Sequence, residues 1–246
     1  MLVDIKSLND EELENFVTDG GFPKFRAKQI RLWLSKNVVS FDEMRNISTD
    51  LRDFLKTSSY ISVANIEKKL VSRYDKTVKY LFSFNDGECV EAVVMSYKHG
   101  WSMCISTQVG CKMGCTFCAT GKSGFSRSLT PSEMLAQIEA AQRDLNIRIS
   151  NVVLMGMGEP LDNFDNVIKF INLASSDNGL NIGMRHITLS TCGIVPKIYE
   201  LAKLHLGITL SVSLHAPNDE IRKKTMPIAK KYSIEELLQS CRDYFN

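Results

Sequence analysis

A repeat of strand, loop and helix follows Gly100, and it constrains the fold more than any other feature of the sequence. The nearly unbroken apolar run Asn151–Met155 is typical of a strand that is covered on both faces. Thr130-Pro-Ser-Glu133 predicts the start of a helix, because threonine can cap it, proline suits its first position and glutamate completes a capping box. Four such units in series predict a parallel sheet with right-handed crossovers, and so an α/β barrel or part of one.

The residues before Gly100 have a different pattern and predict two further regions. Apolar residues at helical spacing up to about Leu55, interrupted at Gly20-Gly21, indicate a small helical domain. Alternating runs follow, with a strong hairpin turn at Asn85-Asp-Gly87. We therefore predict a helical accessory domain at residues 1–58, a strand and hairpin connection at residues 59–99, and a barrel domain at residues 100–246.

Three cysteines, Cys111, Cys115 and Cys118, are predicted to lie in the loop after the first barrel strand. Three thiolates can bind three irons of a [4Fe–4S] cluster and leave the fourth iron open, whereas ferredoxin clusters use four cysteines. A zinc site usually has four ligands, often including histidine, and the nearest histidine is His99, twelve residues before Cys111. The pattern therefore favours a cluster whose open iron binds a substrate or cofactor.

The number of cysteines and the distribution of apolar residues indicate the cellular compartment. The seven cysteines are an odd number and the amino terminus has no apolar signal core, which argues against a disulfide framework. No run approaches the roughly 18 apolar residues of a membrane span. The sequence therefore predicts a cytoplasmic protein with reduced thiols and no membrane association.

The charge is unevenly distributed along the chain. The net charge is only +2, but residues 22–79 contain 13 Lys and Arg against six Asp and Glu. A basic amino-terminal module of this kind could contact RNA phosphates without sequence preference. An ordinary solvated surface explains the same excess equally well, so this feature alone does not decide between the two.

Several motifs carry a resemblance to a known family. The spacing C-x3-C-x2-C, with Phe117 before the last cysteine, resembles the radical S-adenosylmethionine (AdoMet) superfamily. Five further runs resemble the adenine-C2 RNA methyltransferases, namely the RlmN group and its relative Cfr. They are Val90-Glu-Ala-Val93, Ser106-Thr-Gln-Val-Gly-Cys111, Met155-Gly-Met-Gly-Glu-Pro-Leu161, Thr188-Leu-Ser-Thr-Cys-Gly193 and Ser213-Leu-His-Ala-Pro-Asn-Asp-Glu220. The resemblance covers essentially the whole chain.

The resemblance implies a role for individual residues. It assigns the [4Fe–4S] cluster to the three cysteines, and AdoMet to a set that consists of Gly158, Glu159, Ser190, Ser213, Leu214 and His215. It makes Glu91 the acceptor of the proton from adenine C2, and Cys104 the residue that resolves a protein–RNA crosslink by forming a disulfide. Without it, Glu91 would be an exposed strand residue, Cys104 a small buried apolar residue and His215 a structural histidine.

The function implied by the resemblance is methylation of adenine C2 in 23S rRNA and in tRNAs, with flavodoxin or ferredoxin as electron donor. In the family, one AdoMet methylates a cysteine near the carboxyl terminus and a second supplies the radical that activates this methyl group. That cysteine belongs to a segment beyond Asn246, and Cys241 lies outside any matching motif, so we interpret Cys241 as a core residue. The chain thus resembles a carboxyl-terminally truncated member with a partial (β/α) radical-SAM barrel.

Three alternatives remain open from the sequence. The first is Cfr-like methylation at adenine C8. The second is a radical AdoMet enzyme with a small-molecule or protein substrate, which would have no need of Cys104, Glu91 or the basic module. The third is an inactive iron–sulfur fragment that only binds RNA.

Overall fold

Capped amphipathic helices form the amino-terminal domain in the computed structural model, which describes residues 2–245. Its elements, in chain order, are β1 (Val3–Asp4), α1 (Asp10–Asp19), α2 (Phe25–Leu34), α3 (Thr49–Ser58) and β2 (Ser59–Tyr60). A capping box between Asn9 and Glu12 begins α1, and the Ser48 side chain caps α3. Leu13, Ile30 and Leu51 are among the fully buried residues that give this domain its own hydrophobic core.

Three antiparallel strands follow and lead into the barrel. They are β3 (Asn65–Val71), β4 (Val78–Ser83) and β5 (Cys89–Tyr97). The turn predicted at Asn85-Asp-Gly87 joins β4 to β5, where Gly87 has a φ of +82° and donates its N–H to the carbonyl of Phe84 at 2.9 Å. The predicted hairpin is therefore present.

The remaining elements alternate between strands and helices as the sequence predicts. They are β6 (Gly100–Cys104), β7 (Gln108–Gly110), α4 (Ala119–Lys122), β8 (Phe125–Ser128), α5 (Pro131–Leu145), β9 (Ile149–Leu154), α6 (Phe164–Ser175), β10 (Ile187–Thr191), α7 (Val195–Lys203), β11 (Thr209–Val212), α8 (Asp219–Thr225) and α9 (Ile234–Phe245). The predicted helix start is confirmed, because Thr130 and Glu133 form a capping box at α5.

A seven-stranded mixed sheet unites these regions in the order β11-β10-β9-β6-β5-β4-β3. The strands β6, β9, β10 and β11 pair in parallel, whereas β5, β4 and β3 extend the sheet in antiparallel fashion. This arrangement confirms the predicted α/β class with a partial barrel, a helical amino-terminal domain and a hairpin connection.

The two faces of the sheet differ in their surroundings. On β5, Val90, Ala92 and Val94 are buried and belong to the main hydrophobic core, which they share with α5 and α6. Glu91 and Val93 alternate with them and so lie on the other face, where they are exposed or only half-buried. We call this less buried side the open face of the sheet.

Buried polar contacts join the amino-terminal domain to the barrel. The Asp4 carboxylate accepts hydrogen bonds from Thr130 at 2.9 Å and from Ser132 at 2.5 Å, at the start of α5. Lys6 forms an almost fully buried ion pair with Glu139 on the same helix. Because removing one partner of a buried pair leaves an uncompensated charge, these contacts favour one fixed orientation of the domain.

The last helix, α9, buries only part of its apolar residues. Leu238 is 43% and Phe245 84% exposed. Leu237 and Ser240 are the buried residues, and Cys241 packs against the edge of the core as interpreted from the sequence. No helix within residues 2–245 combines the length and apolar character that crossing a membrane requires.

Candidate active site

The three cysteines lie on a loop of residues 111–118, which we call the cluster loop. It follows β6 and the short strand β7, and a tight backbone contact closes its base. Gly110 has a φ of +78°, and a Cβ atom built on it would lie 2.1 Å from the carbonyl oxygen of Gly124. The N–H of Cys111 donates to that same carbonyl at 2.8 Å. Since only glycine allows this approach, Gly110 fixes where the cluster loop begins.

The thiols of Cys111 and Cys115 are harder to ionise than a free cysteine. Burial raises the pKa of the Cys111 thiol, and the charges of Cys115 and Cys118 raise it further. Burial also raises the pKa of Cys115, and the neighbouring Cys118 adds to the effect. Metal binding would release these protons, because the thiolate is the form that binds iron.

The surroundings of the thiols fit a cluster. Cys115, Cys192 and Met226 form a small buried group, against which Met113 and Cys118 pack. Within residues 2–245, no three Cys, His, Asp or Glu residues are arranged around the position of a single ion. A cubane needs thiols around a shared space instead, because each thiolate binds a separate iron. Three cysteines on one short loop, with an apolar group behind them, would suit that donor set.

The loop after β9 packs directly against the entry to the cluster loop. Gly158 has a φ of +102°, and a Cβ atom there would lie 2.6 Å from the Cβ of Gln108. The side-chain oxygen of Gln108 accepts a hydrogen bond from the N–H of Glu159 at 2.9 Å. Gly158 and Glu159, which the resemblance assigns to AdoMet, are thus held against Gln108, three residues before Cys111.

Glu159 is more buried than the sequence suggests. Its carboxylate accepts hydrogen bonds from the N–H of Leu161 at 3.0 Å and of Cys192 at 2.7 Å, and the residue is 3% exposed. Burial raises the pKa of this carboxyl group. The side chain therefore joins the loop after β9 to the loop after β10, and its remaining lone pairs are what it can offer to an ammonium group.

The other residues predicted for AdoMet lie at the same edge of the sheet. Ser190 is half-buried near the end of β10, and Ser213 follows β11 and donates its N–H to the carbonyl of Thr191 at 2.9 Å. His215 is exposed, has a φ of +52°, and its ring centroid lies 4.7 Å from that of Phe117 in the cluster motif. The structure thus brings these residues together with the cysteines at the carboxyl ends of the parallel strands, where such folds place their active sites.

Cys104 and Glu91 lie on the open face of the sheet. Cys104 pairs with Val93 across β5 and β6, and Glu91 lies two positions before Val93 on the same face. Cys104 is half-buried, and burial raises the pKa of its thiol. The two residues implied by the resemblance therefore lie on the same face of adjacent strands.

Hydrogen bonds and an ion pair fix Glu91. The Ser106 hydroxyl donates to its carbonyl at 2.6 Å, and its own N–H donates to the sulfur of Met157 at 3.4 Å. Its carboxylate, about half exposed, pairs with Lys79 of β4 at 2.7 Å. This ion pair turns the Glu91 carboxylate toward β4.

Two features of the site are not predictable from the sequence. Arg222 of α8 is completely buried behind the cluster loop, although it lies in a charged helical run that is typical of a solvated face. Gln108 lies in the motif before Cys111, but nothing in that motif indicates its contact with Glu159.

All seven cysteines are free, and the disulfide that the resemblance implies for Cys104 is not formed within this chain.

Comparison with known proteins identifies matching families for both parts of the chain. Residues 105–246 match the radical SAM superfamily, and residues 3–61 match the ribosomal RNA large subunit methyltransferase N-terminal domain. The probable dual-specificity RNA methyltransferase RlmN of Clostridium novyi is 56% identical over 96% of this chain and 69% of its own length. The protein of the same description from Clostridium tetani is 52% identical over 100% of this chain and 70% of its own length.

A solved structure agrees with the fold. The crystal structure of a radical SAM methyltransferase from Sphaerobacter thermophilus superposes with a TM-score of 0.92 and 38% sequence identity. The match covers 98% of this chain and 72% of that one. The similarity therefore extends through both the amino-terminal domain and the sheet with its cluster loop.

Proposed function

The chain belongs to the RlmN family of radical SAM RNA methyltransferases, and we propose from this premise that it methylates C2 of adenine in 23S rRNA and in tRNAs. The observation that carries the proposal is the register of β5 and β6, in which Cys104 pairs with Val93, two residues from Glu91 on the open face. A flavodoxin or ferredoxin would deliver the electron. The proposed place of action is the cytoplasm.

The residues present can hold the two cofactors. Cys111, Cys115 and Cys118 would bind the [4Fe–4S] cluster, while the Gly158-Glu159 loop, Ser190 and the Ser213-Leu-His215 segment would line the AdoMet site beside it. Bound there, the cluster and AdoMet supply one-electron chemistry that produces a carbon radical. The protein contributes the orientation of both cofactors and a shielded space at the strand ends.

The open face would act on the RNA base. An adenine that is turned out of its stack can reach the face between β4 and β6, where the Glu91 carboxylate would accept the proton from C2. After the activated methyl carbon has bonded to C2, the sulfur of Cys104 would attack the sulfur of the methyl-carrying cysteine. The disulfide bond would form as the bond between that sulfur and the base-linked carbon breaks, and the carbon would take up a proton to become the methyl group. Burial raises the pKa of the Cys104 thiol, so the thiol must lose its proton before it attacks.

The test uses this chain extended with the carboxyl-terminal segment of the Clostridium novyi relative, to supply the methyl-carrying cysteine that the resemblance implies. We expect 2-methyladenosine in digested 23S RNA by mass spectrometry. Cys104→Ala should accumulate a covalent protein–RNA adduct, and Glu91→Gln should lower turnover by about 100-fold or more, as for loss of a general base. Glu220→Gln on the surface of α8 is the matched control and should change neither.

Other outcomes would contradict parts of this proposal. Formation of 8-methyladenosine would replace C2 chemistry with the Cfr-like reaction. Full activity of Cys104→Ala without an adduct would remove Cys104 from the mechanism. Cleavage of AdoMet without any RNA methylation would favour a different substrate.

The basic amino-terminal surface predicts a salt-dependent affinity for RNA. Lys24 and Lys28 are exposed, and Arg26 lies half-buried between them, at the start of α2. Replacing all three with glutamine should weaken RNA binding, and the slope of log K against log salt should fall by about 2 as phosphate contacts are lost. Filter binding or fluorescence anisotropy at several salt concentrations measures this slope.

The matched control removes three basic side chains from the barrel domain. Arg185, Lys197 and Lys203 lie near β10 and α7, and their replacement by glutamine lowers the net charge equally. Their salt slope should remain that of the unmodified chain. An equal loss in both triple variants would show that only net charge matters and would contradict an RNA-binding amino-terminal surface.

A further inference from the structure

Arg222 is a buried cation without an ion-pair partner. It is 0% exposed, its Nη2 group donates to the carbonyl of Cys192 at 2.6 Å, and its Nε group donates to the carbonyl of Leu214 at 3.2 Å. Its Nη1 group is buried and has no hydrogen-bond partner. The arginines with carboxylate partners in residues 2–245 are Arg31 and Arg127.

This arrangement is unfavourable unless an anion compensates the charge. Burying an unpaired ion costs several kcal/mol even after the surroundings relax. Burial accordingly lowers the pKa of Arg222, while the charges of Cys192, Asp219 and Cys115 oppose that shift. Two of those three groups, Cys192 and Cys115, belong to the small buried group that also contains Met226.

The helix that carries Arg222 forms the back wall of the cluster loop. The N–H of Thr116, beside Cys115, donates to the carbonyl of Thr225 at 2.9 Å. Met226, the next residue, packs against Cys115 and Cys192. The guanidinium group also lies against Gly193, where an added Cβ atom would be 3.4 Å from Nη2.

We propose that Arg222 is a positioning residue for the cluster, whose charge offsets the negative charge of the cluster and its three thiolates and raises its reduction potential. The inference rests on the proposed function, because it assumes that a cluster is bound at the three cysteines. Reduction adds a further negative charge, so a nearby buried cation stabilises the reduced form more than the oxidised form. The Nη1 group of Arg222, which has no hydrogen-bond partner within the protein, would be available to donate a hydrogen bond toward the cluster.

The experiment compares Arg222→Gln, which removes the charge, with Arg222→Lys, which keeps it. The midpoint potential of the cluster is measured by titration with an electrode and detection of the reduced form by electron paramagnetic resonance. For Arg222→Gln we expect the ratio of reduced to oxidised cluster at a given potential to fall about tenfold, which is a shift of about 59 mV to more negative potential. Arg222→Lys should retain most of the original potential.

Arg31→Gln is the matched control. Arg31 is also largely buried, but it pairs with Asp10 in the amino-terminal domain and should leave the potential unchanged. An unchanged potential in Arg222→Gln would overturn the inference and leave Arg222 a purely structural residue. If Arg222→Gln fails to take up iron, the Arg222→Lys variant is decisive. Normal iron content and a normal midpoint potential in Arg222→Lys support the role of the charge. Loss of iron in both variants overturns the inference.

Iron analysis of the unmodified chain separates this inference from the function on which it rests. If the unmodified chain takes up no iron under reconstitution, the proposed cluster site is wrong. If it takes up iron and only the Arg222 comparison fails, the cluster site stands and the inference about Arg222 falls.

Discussion

Replacing Cys111, Cys115 or Cys118 with alanine should abolish the cluster. With only two protein thiolates left around the site, a cubane loses one of the three irons that the protein holds, and the open position is no longer defined. The unmodified chain should bind about four irons and four sulfides after anaerobic reconstitution, and each variant should bind none. Iron and sulfide analysis, together with visible absorption, measures this directly.

Cys89 and Cys241 provide matched controls. Both are free and partly exposed, and neither belongs to the cluster loop. Their alanine variants should load as the unmodified chain does. A single tetrahedral zinc in the native protein, or normal iron content in any variant of the three cysteines, would contradict the ligand assignment.

Gly110→Ala should be the most disruptive substitution outside the cysteines. The new Cβ atom would lie 2.1 Å from the carbonyl oxygen of Gly124, in a backbone conformation that L residues rarely adopt. Steric strain and overpacking together should lower the free energy of unfolding by about 3 kcal/mol and displace Cys111 from its iron. Urea unfolding of the chain without iron, followed by iron analysis, separates the two effects.

Gly87→Ala isolates the contribution of the backbone conformation. Gly87 has a φ of +82° in the turn between β4 and β5, and an added Cβ atom would meet nothing within 4 Å. The Gly87→Ala substitution should lower the free energy of unfolding by about 1 kcal/mol. The iron content of this variant should be normal. Equal destabilisation by both alanine substitutions would show that the contact with Gly124 does not define the cluster loop.

Local signals made much of the fold predictable. The capping box at Thr130 and Glu133 and the turn at Gly87 each depend on residues close together in the chain. The parallel sheet followed from the serial order of strands and helices, because the handedness of the crossover leaves few alternatives. The position of the predicted cofactor residues at one edge is a consequence of that topology.

Contacts between distant residues were not predictable in this way. The hydrogen bond from the N–H of Cys192 to Glu159 joins two loops, and its 2.7 Å distance depends on the exact packing of β9 beside β10. A charged run around Arg222 is usually a solvated helical face, and only the packing of α8 against the cluster loop buries this side chain.

The docking of the amino-terminal domain is a further case. Lys6 and Asp4 lie in a short stretch with no motif of their own, yet both contact α5. Likewise, the pair of Lys79 and Glu91 follows from strand register, which places Leu81 opposite Glu91. A sequence pattern indicates which face of a strand a residue lies on. It does not indicate which residue of the neighbouring strand its side chain contacts.

Formation of 5′-deoxyadenosine tests the central claim most directly. The 246-residue chain, reconstituted with iron and sulfide, is mixed with AdoMet and dithionite, and the products are quantified by liquid chromatography and mass spectrometry. The account predicts 5′-deoxyadenosine and methionine from the unmodified chain and none from Cys115→Ala. An iron-loaded, reduced chain that forms no more 5′-deoxyadenosine than Cys115→Ala would contradict it.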